Sequence, residues 1–134
     1  HLAIYRSHPE VRAIVHAHPV TASFFCACAE GIDTHLTAEA YALLGDPVMA
    51  EYARMGTADL AAAVSAGVAR GVCVLLRNHG VLTVGDTLLQ AFDRLEVLEV
   101  AARQTLMARP ACTVRRLDPA QRRELDRFMG RARD

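Results

Sequence analysis

The sequence predicts a mixed β-sheet covered by helices. β-Branched, apolar runs occupy residues 11–18, 72–77 and 81–84, and stretches with helical spacing lie before, between and after them. The tight Asn78-His79-Gly80 segment joins the last two runs as a hairpin.

Taken in order, residues 1–5 read as the last turn of a helix, stopped before Ser7-His8-Pro9. Residues 11–18 form the first strand, rich in valine and isoleucine. Pro19 then opens a helix where proline is tolerated, and Gly31 is its natural stop. Residues 32–37 connect to a short helix over 39–44. Gly45-Asp46-Pro47 is a turn before a short strand at 48–52. Thr57 and Asp59 suit the start of an alanine-rich helix that ends near Arg70-Gly71. After the hairpin, Gly85-Asp86 leads into a long helix over about 87–107. Its Leu88, Ala91, Phe92, Leu95, Leu98 and Ala102 recur at helical spacing, and Arg109-Pro110 ends it. A charged tail, 115–134, carries a terminal helix from Asp118-Pro119 to Phe128, with Leu117, Leu125, Phe128 and Met129 as apolar contacts.

The length of 134 residues, with 52% hydrophobic and 22% charged residues, suits one folded domain spanning 1–134. Net charge is zero and no basic block faces an acidic one, so nucleic acid and anionic membrane are poor partners. No apolar run is long enough to span a bilayer and no signal peptide is visible. All fifteen basic residues are arginine. Without lysine the chain cannot form a Schiff base through an amine side chain, so carbonyl chemistry here needs a metal or another acid. Cys26, Cys28, Cys73 and Cys112 lack C-x-x-C spacing and sit in apolar surroundings, as free thiols do in a reducing cytoplasm. The sharper alternative, Cys26 and Cys28 joining a metal site, is weakened because i, i+2 side chains diverge on the helix expected there.

His16 and His18 end the first strand. Residues i and i+2 of a strand point to one face, so both imidazoles can lean toward one point, which is half of a first-row metal site. His79, in its tight turn between β-rich runs, is the candidate third ligand, and Gly80 permits a backbone shape that other residues resist. Three imidazoles plus an open position is the arrangement of a catalytic rather than a structural zinc. The plainer alternative is a surface pair and an unrelated turn histidine. His1, His8 and His35 read as exposed or structural.

The segments His1-Leu-Ala-Ile-Tyr5, Pro9-Glu-Val-Arg-Ala-Ile-Val-His-Ala-His-Pro19, Leu76-Arg-Asn-His-Gly80 and Gly85-Asp-Thr-Leu-Leu-Gln-Ala91, with Glu96 and Glu99, resemble the class II aldolase/adducin family. The resemblance runs to about Met107 and is nearest the L-fuculose-1-phosphate aldolase branch. It implies an α/β/α fold, a central mostly antiparallel sheet with helices on both faces, here N-terminally truncated to the C-terminal two-thirds of the family domain. It also implies a divalent ion, commonly Zn2+, on His16, His18 and His79, and a cytoplasmic homotetramer with sites at subunit interfaces. The implied reaction is aldol cleavage of a phosphorylated ketose; L-fuculose 1-phosphate would give dihydroxyacetone phosphate and an aldehyde. An epimerase, decarboxylase or dehydratase of a related sugar phosphate, or a non-catalytic adducin-like binding module, are the alternatives.

The family's acid/base glutamate falls about four residues before the position of His1, and its phosphate-gripping segments lie further upstream. No catalytic residue is therefore assigned within the chain. A chain starting at His1 is expected to bind metal at most, with little turnover. A proton-transferring tyrosine of the fuculose enzyme falls near Thr37, and its role is not moved onto nearby Tyr41. Glu39 is expected to be an exposed first-turn acid, and Glu96 and Glu99 to make salt bridges or interface contacts.

Overall fold

The computed structural model describes residues 1–111 and 113–131, so Cys112 and the last three residues of the expected terminal segment lie outside the described residues. Four strands, β1 (Ala13–Ala17), β2 (Val48–Ala50), β3 (Cys73–Leu76) and β4 (Val81–Gly85), lie side by side in the order β1-β4-β3-β2. β1 pairs with β4 and β4 with β3, both antiparallel, while β2 runs parallel to β3. The sheet is thus mixed and mostly antiparallel. Among the described residues the helices are α1 (Leu2–Ser7), α2 (Val20–Phe25), α3 (Ala38–Leu44), α4 (Ala58–Val68), α5 (Leu88–Ala111) and α6 (Pro119–Phe128), with a 3-10 turn at Thr34–Leu36.

The central strands show why the hydrophobic runs are unbroken. Alternate residues of a strand face opposite sides, and both sides of this sheet are covered. Cys73, Leu75 and Val81 pack against α2, α3 and α5 through Phe25, Leu44, Leu98 and Ala102. Val74, Leu76, Leu82 and Val84 face the other way, onto Ile4 of α1 and Val64 of α4. Helices therefore lie on both faces, as the family resemblance implies.

Three elements depart from the sequence reading, each for a physical reason. The helix expected from Pro19 to Gly31 stops at Phe25. Past that point the carbonyls of Cys26 and Cys28 are taken by the hairpin turn: Asn78 N–H donates to Cys26 O at 3.0 Å and Arg77 Nη1 to Cys28 O at 2.7 Å. On α5 the buried stripe is Ala91, Leu95, Leu98, Ala101 and Ala102, whereas Leu88 and Phe92 are exposed, being turned off that stripe or one helical turn ahead of it. Helix α5 also continues past Arg109-Pro110 to Ala111. Finally, α6 buries no residue, and Phe128 is 83% exposed. It is held by polar links instead. Tyr41 Oη donates to Asp126 at 3.1 Å, Arg131 Nη2 donates to Tyr41 O at 3.0 Å, and Leu117 N–H donates to His35 O at 2.8 Å.

Candidate metal centre

His16 lies in β1 opposite Leu82 of β4, and His18 stands just beyond the strand's end. The two-residue period keeps both rings on one side, with centroids 4.9 Å apart. His79 comes from the turn between β3 and β4 and completes a near-equilateral triangle, 5.0 Å from His16 and 5.1 Å from His18. One ligand nitrogen from each ring can be chosen so that all three lie within 4.8 Å of one another. His79, distant in sequence from the His16 and His18 pair, therefore converges on it because β1 and β4 are paired neighbours.

The turn that carries His79 is built by its surroundings. Asn78 adopts a left-handed backbone, φ 55°, the one non-glycine residue that does so among those described. Asparagine tolerates this region better than most residues. Gly80 does not have a positive φ, which corrects the sequence reading. Its role is space. A Cβ there would lie 2.5 Å from His18 Cδ2 and 2.8 Å from Ala17 O, so glycine allows the His18 ring and the end of β1 to pass close by. Leu76 N–H donates to Gly80 O at 2.8 Å and His79 N–H to Leu76 O at 3.0 Å, closing the loop.

Cys26 supports the same turn from beneath, its thiol donating to Gly80 O at 3.1 Å. Burial pushes that thiol up to about 11, so it is a neutral hydrogen-bond donor and not a thiolate ligand. Cys28 donates to Phe24 O, and Cys73 is fully buried with its thiol pushed upward by burial. Cys26, Cys28 and Cys73 are all free, and no cysteine joins the histidine group among the described residues.

The donor set suits a divalent metal. The Nδ1–H of His16 donates to Val81 O at 2.9 Å, which orients the ring and leaves Nε2 for a ligand. Burial, with smaller contributions from the neighbouring His18 and His79 rings, lowers the pKa of His16 despite its bond to Val81 O, favouring the neutral imidazole that metals require. His79 Nδ1 is buried with no hydrogen-bond partner, a polar atom whose solvation is otherwise lost. Imidazole nitrogens suit zinc and the neighbouring first-row ions, and three of them leave coordination positions open. A cavity of about 340 Å³ lies beside the triangle, lined by His16, His79, Ile4, Leu60 and Leu76. His1 also lines it, its ring 6.0 Å from that of His16. No sequence spacing signals that placement.

Of the remaining histidines, His8 and His35 have structural partners. His8 Nε2 lies 2.9 Å from Ser65 O, tying α1 to α4, and His35 Nε2 lies 2.7 Å from Asp46. Glu39 is exposed in the first turn of α3, while Tyr41 is buried and committed to Asp126. Glu99 forms an i, i+4 ion pair with Arg103 at 3.2 Å and also accepts backbone N–H groups from α2. The ion pair is legible in sequence; the contact with α2 is not.

Comparison with known proteins identifies the family to which this fold belongs. Residues 1–106 match the family described as Class II Aldolase and Adducin N-terminal domain. An L-fuculose phosphate aldolase of Methanococcus vannielii is 37% identical over 106 residues, covering 77% of this chain and 55% of that protein. A 3-oxo-tetronate 4-phosphate decarboxylase of Haemophilus influenzae is 33% identical over 108 residues, covering 77% and 51% respectively. Among solved structures, one of an L-fuculose 1-phosphate aldolase superposes with a TM-score of 0.85 at 28% identity, covering 97% of this chain and 61% of that one. The chain spans about half the length of the relatives it matches. With the family match extending over most of the sequence and the superposition over nearly all of it, the chain belongs to the class II aldolase and adducin family.

Proposed function

We propose that the chain, as one class II aldolase-like domain over 1–134, is the metal-holding part of an aldolase acting on a phosphorylated ketose. L-Fuculose 1-phosphate is the model substrate, cleaved to dihydroxyacetone phosphate and an aldehyde. The observation that carries this reading is the convergence of His16, His18 and His79 in a lysine-free chain of an aldolase family. A divalent ion, zinc by the chemistry of three imidazoles, would be held on those rings and supply Lewis-acid stabilisation of the negative charge left when the carbon–carbon bond breaks.

The chain's own residues do the positioning. Val81 O fixes the His16 ring, Gly80 leaves room for His18, and the left-handed turn at Asn78 presents His79. Ile4, Leu60 and Leu76 line the cavity beside the site with aliphatic side chains. Acid/base and phosphate-binding groups are assigned to the segment upstream of His1, with a glutamate about four residues before it. A cytoplasmic homotetramer remains part of the proposal. Among the described residues no helix is long and apolar enough to cross a membrane.

A decarboxylase of a sugar-acid phosphate is the second reading, favoured by relatives of that name at 32–35% identity, within the 31–37% range of the aldolases. Both reactions break a carbon–carbon bond next to a carbonyl and need the same metal. The discriminating experiment assays the protein with its upstream segment on ketose 1-phosphates and on 3-oxo-tetronate 4-phosphate. Aldehyde release from a ketose phosphate supports the aldolase; carbon dioxide release alone replaces it with the decarboxylase. Turnover of neither, with bound metal present, removes both.

A further inference from the structure

We infer that Glu99, on the long helix α5, is a positioning residue for the histidine cluster: its carboxylate fixes the start of α2 and thereby the place of His18. This rests on the three-histidine reading above.

Helix α2 begins without a cap of its own. Its N-cap residue is Pro19, extended at φ −65° and ψ 144°, and it offers no side-chain hydrogen bond. The first backbone N–H groups of any helix lack partners within it, and a helix of six residues has little stability of its own. Glu99 supplies what is missing. Both its oxygens lie 3.1 Å from Thr21 N, and Oε2 accepts from Ala22 N at 2.8 Å. The side chain is only 15% exposed, and its other partner is Arg103 Nε at 3.2 Å. Burial acts to raise the Glu99 carboxyl, but the Ala22 N–H, the Thr21 side chain and N–H, and the Arg103 guanidinium outweigh it and hold it below the usual range. Glu99 is therefore committed as a carboxylate to this one place.

The consequence reaches His18 along the backbone. Thr21 lies three residues after His18, with a φ-restricted proline and an 83% exposed valine between them. His16 has its own tether in Val81 O, but His18 makes no side-chain hydrogen bond among the described residues. Its position is set by the end of β1 on one side and the start of α2 on the other. Ala22 is fully buried, so once Glu99 locks its N–H the start of α2 cannot shift without disturbing the core. Glu99 is not among the grouped nitrogen donors, so it acts through α2 and not as a ligand.

The test uses Co2+ as the probe, with the wild type, Glu99→Ala and Glu99→Gln, alongside the histidine ring resonances of metal-free protein. Loss of a group that orients a ligand costs roughly ten- to hundred-fold in metal affinity, and that loss is expected for Glu99→Ala. Glu99→Gln keeps an oxygen acceptor without the charge, and is expected to recover part of it. The His18 resonance should move in both variants while that of His8, tied to Ser65 of α4 on the opposite face of the sheet, stays fixed. A folded Glu99→Ala protein with wild-type Co2+ affinity and an unmoved His18 resonance overturns the proposal. Should that variant not fold, the same two wild-type results in Glu99→Gln overturn it. If the wild type binds no Co2+, the three-histidine reading fails instead, and Glu99's role is decided by the His18 resonance alone.

Discussion

Replacing Gly80 by alanine isolates the packing on which the site depends. The backbone angle at Gly80 is one that any residue can adopt, so the cost is steric alone. On open backbone, glycine to alanine stabilises a protein by about 0.4–1 kcal/mol, through the unfolded chain. Here the new Cβ meets His18 Cδ2 at 2.5 Å, His18 Nε2 at 2.9 Å and Ala17 O at 2.8 Å. The ring can swing away, but the Ala17 carbonyl belongs to β1, which is paired with β4. Overpacking of this kind costs about 1–3 kcal/mol, leaving a net destabilisation between about 0 and 2.6 kcal/mol once the entropic gain is subtracted. The relief most available is rotation of His18 out of the triangle. Gly80→Ala should therefore lose metal affinity by at least about tenfold, the lower end for disturbing ligand orientation. Denaturant unfolding of metal-free protein and chelator competition for zinc read the two effects separately. A variant more stable than wild type, with undiminished zinc affinity, refutes the close approach of Gly80 and His18.

Other perturbations test the scaffold. Asn78→Val should destabilise the protein by about 1–2 kcal/mol, because a β-branched residue resists a left-handed backbone, whereas Asn78→Gly should be tolerated; urea midpoints distinguish them. The pKa of Glu99 is held below the glutamate norm, so its stabilisation is present above the unfolded-state value of about 4.3 and is lost as pH falls through the lower folded-state value. The stability deficit of Glu99→Gln at pH 7 should thus shrink in unfolding curves taken progressively below pH 4.3. Tyr41→Phe removes the hydrogen bond to Asp126 and should cost about 0.5–1.5 kcal/mol. Because α6 buries no side chain, this variant should also raise amide hydrogen exchange across Pro119–Phe128 more than in β3 and β4.

Much of this arrangement is readable from residues alone, because strong local periodicities coincide with it. The two-residue spacing of His16 and His18 places both rings on one side of a strand, and the β-rich runs flanking Asn78-His79-Gly80 mark a hairpin. What escapes sequence reading is set by distant partners. The early end of α2 depends on Asn78 and Arg77 capturing the carbonyls of Cys26 and Cys28. Gly80 suggests a special backbone angle, yet that angle belongs to Asn78, and only the packed structure reveals that Gly80 makes room for a ring from another strand. Leu88, Phe92 and Phe128 fit apolar helical patterns and are nonetheless exposed, since helical spacing identifies a stripe without saying how far the core extends along it. The parallel pairing of β2 with β3 likewise depends on the crossover through α4, which no short-range signal fixes. Glu99 pairs with Arg103 at a visible interval, but its hold on α2 spans 77 residues.

The most direct test of the three-histidine centre is metal stoichiometry in wild type and His79→Ala. Both proteins would be stripped, reloaded with zinc, dialysed and measured by elemental analysis, with circular dichroism confirming the fold. Wild type should retain about one zinc per chain, and His79→Ala, left with the pair on β1, should retain little after the same dialysis. Equal zinc in the two proteins would show that His79 is not a ligand and would break the proposed centre.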